Sequence, residues 1–207
     1  MKTAIIYLHG FNSASLDCNG HLLQSKEKLV VMQAFCQQKH IVFFSPNVDY
    51  RDFQSLVEAM LFEWNQFLDQ GYQVLFMGSS MGGFASEYLA MKTGSKAIMI
   101  NPAINPSQLL TQFIGVTENY ELGQPYEWHQ SHCDQYLPFQ QHLENNTQAI
   151  DRTILLDMAD ELIDSQQTVL KYQSKAKLLT FEGGSHSFEH IKPALPMIEQ
   201  VIFAELD

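Results

Sequence analysis

Gln73-Val74-Leu75-Phe76-Met77-Gly78-Ser79-Ser80-Met81-Gly82-Gly83-Phe84 is the stretch on which the reading of the whole chain turns. Residues 73–77 predict a buried strand, and a helix is predicted over about 81–93, closed by Gly94. Between them, Gly78 to Gly82 match G-x-S-x-G, and Gly83 follows. Small residues recur by chance, so the bare match says little. Its place between a strand and a helix is what a nucleophile elbow demands. Such a turn is so tight that the neighbours of the serine must lack bulk, which Gly78 and Gly82 satisfy. The plainer reading is a glycine-rich turn that merely packs a helix on a strand. A phosphate-binding loop fits less well, because the spacing matches no Walker pattern and Lys92 lies far down the helix.

Outward from this stretch, short apolar runs alternate with helix-length amphipathic segments. Strands are predicted at 3–8, 41–44, 97–100, 153–157 and 177–181. Segment 22–39 predicts a helix with Leu22, Leu29, Met32 and Cys36 on one stripe. Segment 53–70 is the clearest helix: Phe53, Leu56, Val57, Met60, Leu61, Trp64, Phe67 and Leu68 keep helical spacing up to Gly71. Helices are also predicted near 164–174 and from Ile191 to Ile202. Apolar strands alternating with helices indicate an α/β fold, a mostly parallel sheet of about six strands covered on both faces. Residues 1–207 read as one domain. Segment 103–150 interrupts the alternation and reads as a lid-like insertion over the carboxyl ends of the strands, where such sheets bind ligands.

The chain has 207 residues, 45% hydrophobic and 17% charged, with a formal net charge of −11. That excludes an intrinsically disordered chain. The acidic balance and the lack of a Lys/Arg cluster argue against nucleic acid and anionic membrane surfaces as partners. Cys18, Cys36 and Cys133 are scattered, with no CxxC, which suits idle thiols in a reducing compartment. The apolar run 4–8 is too short for a signal peptide, and no stretch approaches the about 20 residues of a membrane span. These features lead us to expect a cytoplasmic location. The sequence leaves the oligomeric state open.

A serine is a poor nucleophile at neutral pH unless a base takes its proton and a carboxylate orients that base. The chain order for this elbow is Ser, then acid, then His. Gly183-Gly184-Ser185-His186 follows the last predicted strand and can turn His186 back over the sheet, with His190 as the alternative. Asp160 sits just past strand 153–157, and Asp157 at the strand end is the alternative acid. Glu161 and Asp164 read as the start or cap of the next helix. The oxyanion of an acyl-transfer intermediate needs two backbone N–H donors. Met81, after the serine, supplies one. Tyr7-Leu8-His9-Gly10-Phe11-Asn12 after the first strand supplies the other at Phe11, with His9 holding the loop. His129-x-x-His132-Cys133-Asp134 lacks a second ligand cluster and reads as the polar face of a lid helix, not a metal site.

Taken together, the chain resembles the small bacterial α/β-hydrolase-fold esterases of the YqiA type, grouped as an uncharacterised protein family. The resemblance covers nearly the full length. It rests on Tyr7-Leu8-His9-Gly10-Phe11-Asn12-Ser13, Gly78-Ser79-Ser80-Met81-Gly82-Gly83, Asn101-Pro102-Ala103, Leu109-Leu110 with Phe113-Ile114-Gly115, Asp160-Glu161 and Gly183-Gly184-Ser185-His186-Ser187-Phe188. It implies hydrolysis of acyl esters and acyl thioesters, and Ser80, Asp160 and His186 as the triad. Ala159 and Ser185 stand where the family has Gly and Asn, and neither change removes a catalytic group. A sister branch lacks the elbow serine; this chain keeps Ser80.

The expectation is therefore a serine hydrolase of carboxylic esters acting through an acyl-enzyme, with no cofactor and no metal. Its substrate would be a small ester or acyl compound. A thioesterase, an amidase or peptidase with the same triad, and a non-catalytic binding scaffold are the alternatives. Phe113, Tyr120 and Trp128 of the insertion are candidates for the acyl pocket. No Lys or Arg occurs between Lys96 and Arg152, which points to a neutral or apolar substrate and away from a coenzyme A thioester.

Overall fold

The computed structural model describes residues 2–204. Six strands, β1 (Lys2–Leu8), β2 (Val42–Phe44), β3 (Tyr72–Ser79), β4 (Lys96–Ile100), β7 (Arg152–Asp157) and β8 (Lys177–Phe181), form one sheet in the order β2-β1-β3-β4-β7-β8. Every neighbouring pair in it is parallel. Side chains alternate across the sheet, so each strand feeds two cores. Ala4, Ile6 and Leu8 of β1 pack under α2 (Phe53–Asp69) and α3 (Met81–Thr93), with Tyr172 of α7 (Ser165–Tyr172) in the same core. Ile5 and Tyr7 pack under α1 (Glu27–Gln38) and α8 (Ile191–Phe203).

Local chemistry starts these helices. Asp52 caps α2 by accepting the Ser55 N–H at 3.0 Å, a contribution of about 1 kcal/mol. Asp164 caps α7 by accepting from the Gln167 N–H at 3.2 Å. On the α2/α3 face a buried ion pair, Arg152 Nε to Glu87 Oε1 at 2.7 Å, is completed by the Tyr172 hydroxyl donating to Glu87 Oε2 at 2.6 Å. This ties β7, α3 and α7 together. The second hydrogen bond matters because a buried pair stabilises only when its remaining lone pairs are satisfied.

Between β4 and β7 the chain forms α4 (Pro106–Leu109), a 3-10 turn over Leu110–Phe113, an antiparallel hairpin of β5 (Gly115–Asn119) and β6 (Gln124–Trp128), then α5 (Gln130–Asp134) and α6 (Leu137–Asn145). The sequence reading did not anticipate the hairpin. The β1–β3 pairing aligns Leu8 with Gly78, so the segments after both strands leave the sheet side by side. Strand order reverses direction there, since β2 lies on one side of β1 and β3 on the other. That reversal opens the crevice in which α/β sheets hold ligands. Among the described residues no helix is long and apolar enough to cross a membrane.

Candidate active site

Ser80 occupies the corner between β3 and α3 with φ 56° and ψ −119°, backbone that a non-glycine residue adopts at a cost of about 1–3 kcal/mol. Neighbouring backbone holds it there. Its N–H donates to Ile100 O at 2.9 Å, and its carbonyl accepts from Gly83 N at 2.9 Å and Ala103 N at 3.1 Å. The corner is pressed against β1: a Cβ on Gly82 would lie 1.9 Å from Leu8 O. Gly82→Ala is therefore expected to destabilise the fold by about 3 kcal/mol or more, because backbone and not a movable side chain would have to yield. Urea unfolding measures this, and an unchanged midpoint would show that the corner is looser than described.

The loops after β7 and β8 bring two of the predicted partners together. His186 Nδ1 meets Asp160 Oδ2 at 2.9 Å, with the Asp160 side chain 2% exposed. The other oxygen, Asp160 Oδ1, accepts from Leu162 N and Ile163 N, both at 2.9 Å, which fixes the plane of the carboxylate. Glu161, expected at the start of a helix, instead accepts the His186 N–H at 2.9 Å through Oε2. His186 and Ser80 line one cavity of about 640 Å³.

The two alternatives, Asp157 and His190, pair with each other at 2.7 Å (Oδ1 to Nδ1). The His190 ring stacks on Phe181, centroids 5.2 Å apart. Asp157 Oδ2 accepts from Ser185 N at 3.2 Å and Glu189 N at 2.7 Å, one on each side of His186. The loop lies so close to this carboxylate that a Cβ on Gly184, at φ +73°, would fall 1.9 Å from Asp157 Oδ2. Asn101 completes the brace: its Oδ1 accepts from Asp157 N at 2.9 Å, and its Nδ2 donates to Ser185 O at 3.0 Å. Asp160 thus contacts the imidazole, whereas Asp157 and Asn101 shape the loop that carries it. The sequence reading missed this bracing role. The positive φ of Asn101 (40°), a region in which Asn is enriched among non-glycine residues, leaves only a faint trace in the sequence.

Phe11 and Met81 also line the cavity, and among the described residues neither backbone N–H has a protein acceptor. Orphan donors beside a nucleophile are what an oxyanion hole requires. His9 stands behind them. Val48 N donates to its Nε2 at 3.0 Å, so Nδ1 carries the proton and donates to Gly10 O at 2.8 Å. Tyr50 donates its hydroxyl to His9 O. Burial pushes the His9 imidazole down from 6.5 to about 4, against the pull of the Gly10 carbonyl. Between those values the unfolded chain binds a proton that the folded chain does not. Stability therefore rises with pH through this window: the contribution is complete above 6.5 and is lost as pH falls toward 4. At most about 3 kcal/mol is involved. Histidine NMR should show one imidazole still neutral at pH 5, absent in His9→Gln; a His9 that titrates near its ordinary value would overturn the assignment.

The hairpin closes over the same loop. Asn12, at φ 54°, donates through Nδ2 to Thr117 Oγ1 at 2.8 Å and accepts from the Tyr126 hydroxyl, while its carbonyl accepts from Tyr120 N at 2.9 Å. Phe113 and Tyr120 line the cavity. Trp128 does not: it is fully buried behind Phe11, ring centroids 4.7 Å apart, and donates Nε1–H to Cys133 Sγ at 3.2 Å. His129 precedes α5, its N–H donating to His132 Nδ1 at 3.0 Å. Among the described residues no three His, Cys, Asp or Glu side chains are grouped to hold a metal ion. The insertion brings no Lys or Arg to the cavity, but Lys26, just before α1, and Lys28, in its first turn, stand in the wall.

The architecture has known counterparts. The chain superposes on Est1E from Butyrivibrio proteoclasticus with a TM-score of 0.72 at 16% identity, over 97% of this chain and 88% of that one. A structure reported with the metagenome-derived lipolytic enzymes LipS and LipT gives a TM-score of 0.70 at 12% identity, over 97% and 93%. At such identities the likeness shows the fold, which is the α/β-hydrolase fold. In sequence the chain is 25% identical over 198 residues to a UPF0227 protein of Vibrio parahaemolyticus, covering 95% of this chain and 97% of the relative. A UPF0227 protein of Serratia proteamaculans is 23% identical over 202 residues, covering 94% and 96%. Residues 4–203 match the family model described as "Uncharacterised protein family (UPF0227)", and the chain belongs to that family.

Proposed function

We propose that the protein is a serine hydrolase that cleaves carboxylic esters through an acyl-enzyme. One observation carries the reading: a buried Asp160 carboxylate holds His186 by Nδ1 at 2.9 Å, on the cavity that also presents Ser80 from a strained strand–helix corner. With Nδ1 engaged, Nε2 is the nitrogen left to accept the serine proton.

Ser80 Oγ attacks the ester carbonyl while His186 Nε2 takes the hydroxyl proton. Asp160 stabilises the imidazolium that forms. The carbonyl oxygen, now an oxyanion, receives the N–H groups of Phe11 and Met81. The tetrahedral intermediate collapses, the C–O bond to the alcohol breaks, and His186 returns the proton to the departing alkoxide. Water then attacks the acyl-serine by the same route, releasing the acid and regenerating Ser80. No step calls for a cofactor. Fold counterparts described as an esterase or as lipolytic enzymes support an ester as the bond cleaved.

The test is a fluorophosphonate probe with peptide mapping, alongside p-nitrophenyl esters from acetate to palmitate. Labelling confined to Ser80 with ester turnover is expected, and the length profile then sizes the acyl pocket. A chain that resists the probe and is inert on every ester is a binding scaffold instead.

A further inference from the structure

The cavity holds one charge that ester cleavage leaves unused. Lys28, in the first turn of α1, lines the wall together with Ser79 and Ser80, and its Nζ donates to Ser79 Oγ at 2.6 Å. An ammonium carries three donors. Among the described residues, Ser79 is its only protein acceptor and no carboxylate forms an ion pair with it. Its neighbour Lys26 is taken by Glu121 of the hairpin turn. The nearby carboxylates are also committed. Asp160 holds His186, Asp157 holds His190, Glu161 accepts the His186 N–H, and Glu27 pairs with Lys192 at 2.7 Å. Glu189 also stands on the wall and is exposed to solvent. Tyr7, next to Ser79 on the wall, remains a neutral phenol because burial pushes its ionisation up.

A partly buried cation with no counter-ion is costly, and a ligand that brings an anion recovers that cost. Burial, with repulsion from Lys26 and against the weaker, longer-range attraction of Asp157 and Asp160, already pushes the Lys28 ammonium down to about 7. Phe11, Leu110, Phe113 and Leu162 supply an apolar part of the same wall. We infer that the substrate is an ester bearing a free carboxylate, seated on Lys28 Nζ, with its apolar part against Leu110 and Phe113. A carboxylate balances a single ammonium one for one. A phosphate monoester, near charge −2, would be left in excess beside Glu27, Glu161 and Glu189. The inference rests on the hydrolase reading for the fate of the ester, but the binding itself can be tested without turnover.

The experiment is calorimetric titration of Ser80→Ala at pH 6.5 with three matched ligands: monobutyl glutarate, butyl methyl glutarate, and butyl 4-phosphonobutanoate. Monobutyl glutarate should bind at least about tenfold more tightly than the neutral diester, as a charge-assisted hydrogen bond in a partly buried site predicts. Adding Lys28→Met, or Lys28→Gln should the first fold poorly, should bring that ratio to within about twofold, and Lys28→Arg should restore part of it. Equal affinities, or a preference that survives both substitutions, would overturn the inference. So would tighter binding of the phosphonate, which would make the ligand a phosphate. Fluorophosphonate labelling of the wild type scores the hydrolase reading separately: a labelled Ser80 with no carboxylate preference sinks only the present inference, and a preference without labelling sinks only the other.

Discussion

Ser80→Ala should lower kcat/KM for p-nitrophenyl ester hydrolysis by about 10⁶-fold, with secondary structure and unfolding midpoint close to wild type. Alanine removes one oxygen and keeps the Cβ that already sits at φ 56°, so the corner need not move. The hydrogen bonds that hold the corner all use backbone atoms and survive. What is lost is the covalent route. Rate above the uncatalysed background should then come from the Phe11 and Met81 donors and from binding alone. Because nucleophile and base act as a unit, His186→Ala should cost nearly as much, and the double variant little more than either. Steady-state assays on all three variants measure this. A Ser80→Ala enzyme within tenfold of wild type would remove Ser80 from the reaction.

Asp160→Asn should cost about 10³- to 10⁴-fold in kcat with little change in KM. The substitution is close to isosteric. The amide oxygen can still accept from Leu162 N and Ile163 N, so the loop keeps its shape. The amide nitrogen then faces His186 Nδ1 as a donor and stabilises the tautomer with its proton on Nε2, which cannot accept the serine proton. Asp157→Asn is the informative contrast. Its carboxylate binds Ser185 N, Glu189 N and His190, not His186, so its loss should loosen the loop and lower the unfolding midpoint while reducing kcat far less. If Asp157→Asn abolished turnover and Asp160→Asn did not, the two carboxylates would have to exchange roles.

Much of this was legible because buried parallel strands announce themselves as continuous apolar runs and α/β helices as stripes. The six strands of the sheet fall within one or two residues of their predicted bounds. Other features were hidden by physics that acts beyond sequence neighbours. The helix expected from residue 22 begins at Glu27, because the preceding stretch turns on Asp17, whose Oδ1 accepts from Asn19 N and His21 N. The hairpin was not seen because most of β5 faces solvent and shows no alternation to read; its bend comes from Asn119, whose Oδ1 accepts from Glu121 N and Leu122 N. Trp128 had the size for a pocket wall, but sequence could not say that Phe11 would cover it. Lys28 carried a usable signal. It stands one helical turn before buried Met32, on the face that Phe35 and Cys36 continue, where a lysine is out of place without a reason.

The clasp at Asn12 has an architectural consequence. One residue joins the segment that carries the proposed oxyanion donor to the hairpin roofing the cavity, so roof and donor cannot be exchanged independently. A chimera that replaced residues 115–128 with another protein's loop would strip Asn12 of its bonds to Thr117, Tyr120 and Tyr126 in one stroke. The positive-φ turn next to Phe11 would then stand without its support. In this protein the roof is a structural member of the proposed reaction centre, and re-engineering substrate choice through it means rebuilding both ends of the clasp together.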